Sequence, residues 1–167
     1  GRAWLLAPTA SNIFGMVSPH AAAEILGRVR ASGLSGAPLR KIAMECLAEL
    51  PGYDWCGVYR LEGDELILDE YVGAPTEHTR IAVGVGVCGT AVAENANQVV
   101  ADVREIDNYL ACSTQTRSEV VVLIRRTDGA VLGQIDIDGH AVGAFGPEDE
   151  EFLEQLGGLL AERWHPR

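Results

Sequence analysis

Runs of positive charge are missing from this chain. Its 167 residues carry 13 Lys and Arg against 24 Asp and Glu, a formal net charge of −11. Nucleic-acid affinity rests on phosphate contacts from a basic face, so nucleic-acid binding is excluded as a role. The same deficit argues against docking on an anionic membrane surface. No apolar run approaches the roughly 20 residues needed to cross a bilayer. Histidine is scarce, with only His20, His78, His140 and His165, and no Cys-x-x-Cys pair occurs, so a structural zinc site lacks its usual ligands. The four cysteines are Cys46, Cys56, Cys88 and Cys112. With 47% apolar residues the chain can build a full core without disulfide staples.

The length suits one domain. The opening stretch GRAWLLAPTASNIFG has a short apolar patch and one arginine, but not the basic start and longer apolar middle of a signal peptide. Residues 1–17 are read as an extension or tag, expected to be flexible, with Met16 as a candidate start. Residues 18–167 are read as a single domain, and a cytoplasmic setting is expected.

Ser18 can cap a helix and Pro19 suits its first turn; Ala21, Ala22, Ala23, Ile25, Leu26 and Val29 follow at helical spacing. After Gly33 and Gly36 a second helix is predicted from Pro38, with Leu39, Ile42, Ala43, Cys46, Leu47 and Leu50 as its apolar stripe. Cys46 reads there as a small buried residue. YDWCGVYRL and ELILDEY, on either side of Glu62-Gly63-Asp64, read as a hairpin. In its first strand Trp55, Gly57 and Tyr59 share one face, and Cys56 and Val58 the other. The glycine leaves a gap between two rings, so that face either fills the core or walls a pocket.

Gly84, Gly86 and Gly89 predict a turn, followed by a short helix at Thr90–Glu94 and a short strand at Gln98–Ala101. Residues 102–117 are polar and irregular, long for an ordinary connection inside a domain. Glu119–Arg126 and Val131–Asp138 read as a second hairpin around Asp128-Gly129. Gly146-Pro147-Glu148-Asp149 opens a last helix with Phe152, Leu153, Leu156, Leu159 and Leu160 as its core stripe. Tight strand connections with flanking helices predict an α+β domain on an antiparallel sheet.

Two thiols and three carboxylates carry the candidate chemistry. Cys88 stands in the glycine-rich turn at the head of a helical segment. Backbone N–H groups and the helix dipole favour a thiolate there, and glycines admit a ligand close to the backbone. The competing reading is a small residue packed under a turn. Cys112 lies in the polar loop between Tyr109-Leu110-Ala111 and Ser113-Thr114-Gln115-Thr116, a setting that packing explains less well. A disulfide between the two needs their Cα atoms within ~7 Å, which spacing does not settle. Asp136 and Asp138 share a strand face with Gln134, and Glu119 heads the partner strand near the same end. Such a cluster is costly unless a cation neutralises it or one acid keeps its proton. It is therefore a solvated strand end, a seat for an ammonium group such as an amino acid's α-amine, or a hard-cation site. No cofactor and no metal is assigned.

GVGVCGTAVAENANQVVADV, NYLACSTQTRSEVVVLI, LGQIDIDG and GAFGPEDEEFLE resemble the GAF-domain family of free methionine-(R)-sulfoxide reductases, in the family's order and across residues 38–161. The resemblance implies a GAF-like six-stranded antiparallel sheet, helices on both of its faces and a small enclosed pocket. It assigns catalytic roles to Cys112 and Cys88 and places Trp55 and Tyr59 in the substrate pocket. Glu119, Asp136 and Asp138 become the carboxylates that hold the substrate's amino end and polarise the sulfoxide. The family commonly has a third cysteine ten positions before the one in G-V-C-G; this chain has His78, read as an exposed loop residue. Cys88 is then the obvious resolver for Cys112.

The implied reaction is thiol-dependent reduction of free methionine-(R)-sulfoxide through a cysteine sulfenate and a Cys88–Cys112 disulfide. The implied partners are free methionine sulfoxide, or a similar small amino-acid ligand, and a thioredoxin-type reductant; a homodimer is left open. The alternative is a GAF ligand-binding or redox-sensor module without turnover.

Overall fold

Alternation along the central strands divides the molecule into two layers. Val120, Val122 and Ile124 of one strand, and Ile135 and Ile137 of the next, turn to one side and are fully buried. Glu119, Val121, Leu123, Gln134, Asp136 and Asp138 turn to the other. The structure is a computed structural model and describes residues 17–110 and 113–165. Residues 1–16 of the expected extension, and Cys112 with Ala111, lie outside these residues.

The elements run α1 (Pro19–Ala31), α2 (Gly36–Ala48), β1 (Trp55–Glu62), β2 (Glu65–Val72), β3 (Arg80–Ala82), α3 (Gly86–Glu94), β4 (Gln98–Val100), a 3-10 turn at Val103–Glu105, β5 (Ser118–Arg125), β6 (Val131–Gly139) and α4 (Pro147–Glu162). The six strands form one sheet in the order β3-β2-β1-β6-β5-β4, every neighbouring pair antiparallel. α1, α2 and α4 cover one face and bury the larger apolar cluster, which includes Leu39, Met44, Leu47, Leu153, Leu156 and Leu160. α3 and the loops cover the other face, over Trp55, Tyr59, Leu66, Val121 and Leu123. This is the sheet with helices on both faces that the resemblance implies. Among the described residues no helix is long and apolar enough to cross a membrane.

Local chemistry sets the ends of the elements. Ser18 caps α1, its side chain accepting from the Ala21 N–H. Asp149, fully buried in the first turn of α4, accepts from Gly146 N–H at 2.9 Å, Val17 N–H at 3.0 Å and the Tyr53 hydroxyl at 2.6 Å. α2 starts at Gly36, two residues before the predicted Pro38, because Pro38 is tolerated inside the first turn.

α3 is a larger correction. It starts at Gly86 and not after Gly89, so Cys88 belongs to its first turn. Gly89 is there because a side chain would not fit: a Cβ would lie 2.5 Å from the Ala82 carbonyl oxygen. The turn itself is made upstream by Gly84 and Gly86, at φ of 94° and 63°.

β2 carries one extra residue opposite β1. Val58 pairs with Glu70 and Tyr59 with Leu68, so Asp69 bulges out between them. Its buried carboxylate accepts from Arg40 of α2 and from Arg60 of β1. Arg40 also lies 4.4 Å above the Trp164 ring and donates to the His165 carbonyl, which ties the chain beyond α4 to the same point.

Candidate functional site

Register builds the site from three adjacent strands. Trp55 of β1 pairs with Asp138 of β6, and Asp138 in turn pairs with Glu119 of β5. The next row on the same face is Gly57, Asp136 and Val121; the one after it is Tyr59, Gln134 and Leu123. The three predicted carboxylates thus meet at one place. They are not a solvated strand end: Glu119, Asp136 and Asp138 are only 4%, 0% and 1% exposed.

α3 brings Cys88 onto this cluster. Its sulfur lies 3.3 Å from Asp136 Oδ2, a thiol-to-carboxylate hydrogen bond. One donor atom each from Cys88, Glu119 and Asp136 fall within 4.8 Å of one another. Within α3 the hydrogen-bond ladder begins at Gly89 N–H to the Val85 carbonyl. The amides of residues 86–88 precede it, so Cys88, whose sulfur reaches Asp136, belongs to the positive end of the helix.

Burial raises the carboxyl of Asp136, against the pull of hydrogen bonds from Glu119 and Cys88. Asp138 is raised well above the ordinary range, first by burial and then by the charge of Asp136, with Glu119 opposing. Among the described residues no N–H group or hydroxyl donates to Asp136 Oδ1 or to either oxygen of Asp138, and Glu119, itself an acid, is the carboxyl that bonds to them. Buried acceptors in that state favour a proton, an ammonium group or a metal ion.

The aromatic wall differs from the expectation in one respect. No gap separates Trp55 from Tyr59, because the indole lies across Gly57: a Cβ there would sit 2.3 Å from the six-membered ring. Gly73 makes room for the other end of the indole, where a Cβ would come within 2.6 Å. Trp55 Nε1–H donates to the Ala74 carbonyl at 3.0 Å, and the ring stacks on Tyr71 with centroids 5.6 Å apart. The Tyr59 hydroxyl donates to the His78 carbonyl at 2.9 Å. His78 is half-buried and not an exposed loop residue, and its N–H donates to Thr76 Oγ1.

The other cysteines are excluded by position. Cys56 is fully buried on the opposite face, as its parity predicts, and burial followed by the nearby aspartates pushes its thiol far up. Cys46 is buried in α2, and burial raises it as well. Of the residues paired from sequence, Cys88, Trp55, Tyr59, Glu119, Asp136 and Asp138 share this face, while Cys112 lies outside the described residues. Leu110, two positions before Cys112 in the chain, packs against Gly86, two positions before Cys88. The sequence reading gave no role to Gln134. It is fully buried on the same face, and neither of its amide atoms has a partner among the described residues. Its parity with Asp136 was the available signal.

Residues 39–164 match the GAF domain family. The free methionine-R-sulfoxide reductase of Escherichia coli strain K12 is 41% identical over 107 residues, which cover 64% of this chain and 64% of that protein. The free methionine-R-sulfoxide reductase of Saccharomyces cerevisiae is 40% identical over 110 residues, covering 64% of this chain and 61% of that protein. The chain therefore spans less than two thirds of the length of these two curated relatives. Among solved structures, free methionine-R-sulfoxide reductase from Neisseria meningitidis in complex with its substrate superimposes with a TM-score of 0.80 at 32% identity, over 89% of this chain and 92% of that one. The chain belongs to the GAF domain family, as a homologue of its free methionine-R-sulfoxide reductases.

Proposed function

We propose that this protein binds free methionine-(R)-sulfoxide against the face that carries Glu119, Asp136 and Asp138 and reduces it to methionine. The observation that carries the reading is the set of three buried carboxylates in register, with the sulfur of Cys88 on one of them. Buried anions recognise the ammonium group of a free amino acid, and the apolar surface of Trp55 and Tyr59 suits its side chain. The names of the relatives supply the sulfoxide. Residues 18–167 are taken as the domain that does this, with residues 1–17 outside it.

In the mechanism, Cys112 is the nucleophile and its thiolate attacks the sulfoxide sulfur. Asp138, a carboxyl that burial and the charge of Asp136 lift well above the ordinary range, donates its proton to the sulfoxide oxygen. The S–O bond of the substrate breaks and the oxygen passes to Cys112 as a sulfenic acid. Methionine leaves, reduced by two electrons, and Cys112 is oxidised by two. The Cys88 thiol then displaces water from the sulfenic acid to form a Cys88–Cys112 disulfide. A dithiol of the thioredoxin type reduces that bond and restores both thiols.

The test is turnover of free methionine-(R)-sulfoxide with a dithiol reductant by wild type, Cys112→Ser and Cys88→Ser. Turnover is expected to vanish in the first variant and to stall after one equivalent in the second. Unchanged rates in both sink the scheme.

One residue, His78 at the place of the third family cysteine, favours the second reading, a GAF ligand-binding module without turnover. Thiol titration separates the two. The enzyme loses two thiols on adding the sulfoxide and releases methionine, whereas the binding module shows a thermal shift and loses none.

A further inference from the structure

We propose that in the reduced protein Cys88, Glu119 and Asp136 form a site for a thiophilic divalent cation, with Zn²⁺ as the type ion. The donor atoms are already gathered, all within 4.8 Å of one another. A tetrahedral zinc with bonds of ~2.3 Å to sulfur and ~2.1 Å to oxygen separates those two ligands by about 3.6 Å. Cys88 Sγ and Asp136 Oδ2 are 3.3 Å apart, so the pair needs only a small spreading to take the ion between them.

A second and independent observation points to a ligand at this place. Among the described residues no N–H group or hydroxyl donates to Asp136 Oδ1 or to either oxygen of Asp138, all buried; Asp138 pairs across the strands with Glu119, and Asp136 lies in the next row. Asp138 can then orient Glu119, its cross-strand neighbour, from outside the coordination sphere.

The donor set selects the ion. One sulfur with two carboxylates suits Zn²⁺, Co²⁺ or Cd²⁺. Ca²⁺ wants six to eight oxygens, and Mg²⁺ wants an octahedron that retains several waters. No histidine is needed, which is why a search for histidine-based zinc spacing passes over the site. Entry of the ion displaces the proton between Cys88 and Asp136, so uptake releases protons and weakens as pH falls. Cys46 and Cys56 are built differently, both packed in the apolar cluster on the far face. Given the proposed methionine sulfoxide reading, the ion occupies the ammonium seat and engages the resolving thiol, and so it competes with the amino acid.

The experiment is Co²⁺ titration of protein reduced with a phosphine, read by the thiolate-to-cobalt charge-transfer band and the tetrahedral d–d bands. One equivalent is expected to bind, and Zn²⁺ to displace it. Cys88→Ser is expected to abolish the charge-transfer band. Glu119→Gln is expected to weaken binding by about tenfold or more. Cys46→Ser leaves the spectrum unchanged. Absence of stoichiometric binding, or a band that survives Cys88→Ser, overturns the site.

A wild-type measurement covers the case of a variant that fails to fold. Zn²⁺ is expected to slow iodoacetamide labelling of Cys88, followed by peptide mass spectrometry, without altering that of Cys46; an unprotected Cys88 overturns the site. In the competition arm Zn²⁺ is expected to raise the apparent Kd for free methionine-(R)-sulfoxide. Sulfoxide binding that is indifferent to Zn²⁺ counts against the site. A cobalt band in a protein that takes up no sulfoxide supports the metal site and refutes the functional reading instead.

Discussion

Tyr59 donates its hydroxyl hydrogen to the main-chain carbonyl of His78 at 2.9 Å, and Trp55, four residues earlier on the same strand, donates its indole N–H to the carbonyl of Ala74 at 3.0 Å. Both rings proposed to line the site thus hold the β2–β3 loop by their polar tips. They add to the loop's other ties, His78 N–H to Thr76 Oγ1 within it and Leu68 N–H of β2 to the Thr79 carbonyl at its end. Ring and tip have separable effects: the ring shapes the face, and the tip fixes the loop beside it.

Tyr59→Phe removes the tip and keeps the ring. A hydrogen bond of this kind contributes about 1 kcal/mol, and the half-buried His78 carbonyl can turn to water once released. Amide exchange in residues 74–79 is expected to rise by about fivefold, with little change in the thermal midpoint. Affinity for free methionine-(R)-sulfoxide is expected to fall in parallel. Unchanged exchange across that loop would show that the hydroxyl does not hold it.

Gly57 separates the two aromatics for a steric reason, not a conformational one. A Cβ there meets the Trp55 ring at 2.3 Å, and the ring is pinned at its far end by Gly73 and by the bond to Ala74. Gly57→Ala must therefore displace the indole and not merely graze it. A loss of about 1–3 kcal/mol in urea unfolding is expected, the range for overpacking a filled core. The near-ultraviolet circular dichroism of the indole is expected to change with it. The same substitution at Gly63, where a Cβ meets nothing within 4 Å, supplies the comparison for backbone effects, since its φ of 64° strains any side chain.

These cases show what was legible in the sequence and what was not. Parity along β1 and β6 placed Trp55, Tyr59, Asp136 and Asp138 on one face and Cys56 on the other, because side-chain alternation is a local property. The pairing of Glu119 with Asp138 was legible as well, since the Asp128-Gly129 turn sets the register of that hairpin. Burial was not legible. Whether three acids end in water or under α3 depends on elements far apart in sequence. The first turn of α3 was misread because Gly86 and Gly89 carry the composition of a turn, while Gly89 is a packing residue under the Ala82 carbonyl. The Trp55 indole over Gly57 was missed for a related reason: a glycine reports that something comes close, not what it is.

Asp69 shows the cost of an interior charge. Its carboxylate is fully buried at the β2 bulge and serves both Arg40, whose side chain is 1% exposed, and Arg60. Asp69→Ala leaves the Arg40 guanidinium in the interior opposite a methyl group, and an unfolding free-energy loss of about 3–5 kcal/mol is expected. The solvent-exposed pair of Arg28 and Glu49 gives the contrast: Arg28→Ala is expected to leave the urea midpoint almost unmoved. Equal effects of the two substitutions would refute the assignment of the Asp69 cluster as a structural tie.

The acids of the site should make the ligand-free protein less stable as the solution becomes less acidic. Burial, reinforced by the charge of Asp136, lifts Asp138 well above its ordinary carboxyl value of 3.8. Between that value and the raised one, the folded protein holds a proton that the unfolded chain has released. The folded state then binds more protons than the unfolded state, so the free energy of unfolding falls as pH rises through the window. The urea midpoint is accordingly expected to drop as pH rises above the ordinary carboxyl value of 3.8. Asp138→Asn cannot lose its proton and keeps nearly the same shape. It is expected to unfold at a higher urea concentration than wild type at neutral pH, with a shallower pH dependence, while its affinity for the amino-acid ligand is lost. Stability given up at Asp138 and recovered on binding a cation is the pattern expected of a functional carboxylate and not of a structural one. A variant less stable than wild type at neutral pH would mean instead that Asp138 is held ionised by the folded protein, and it could then not supply the proton to the sulfoxide.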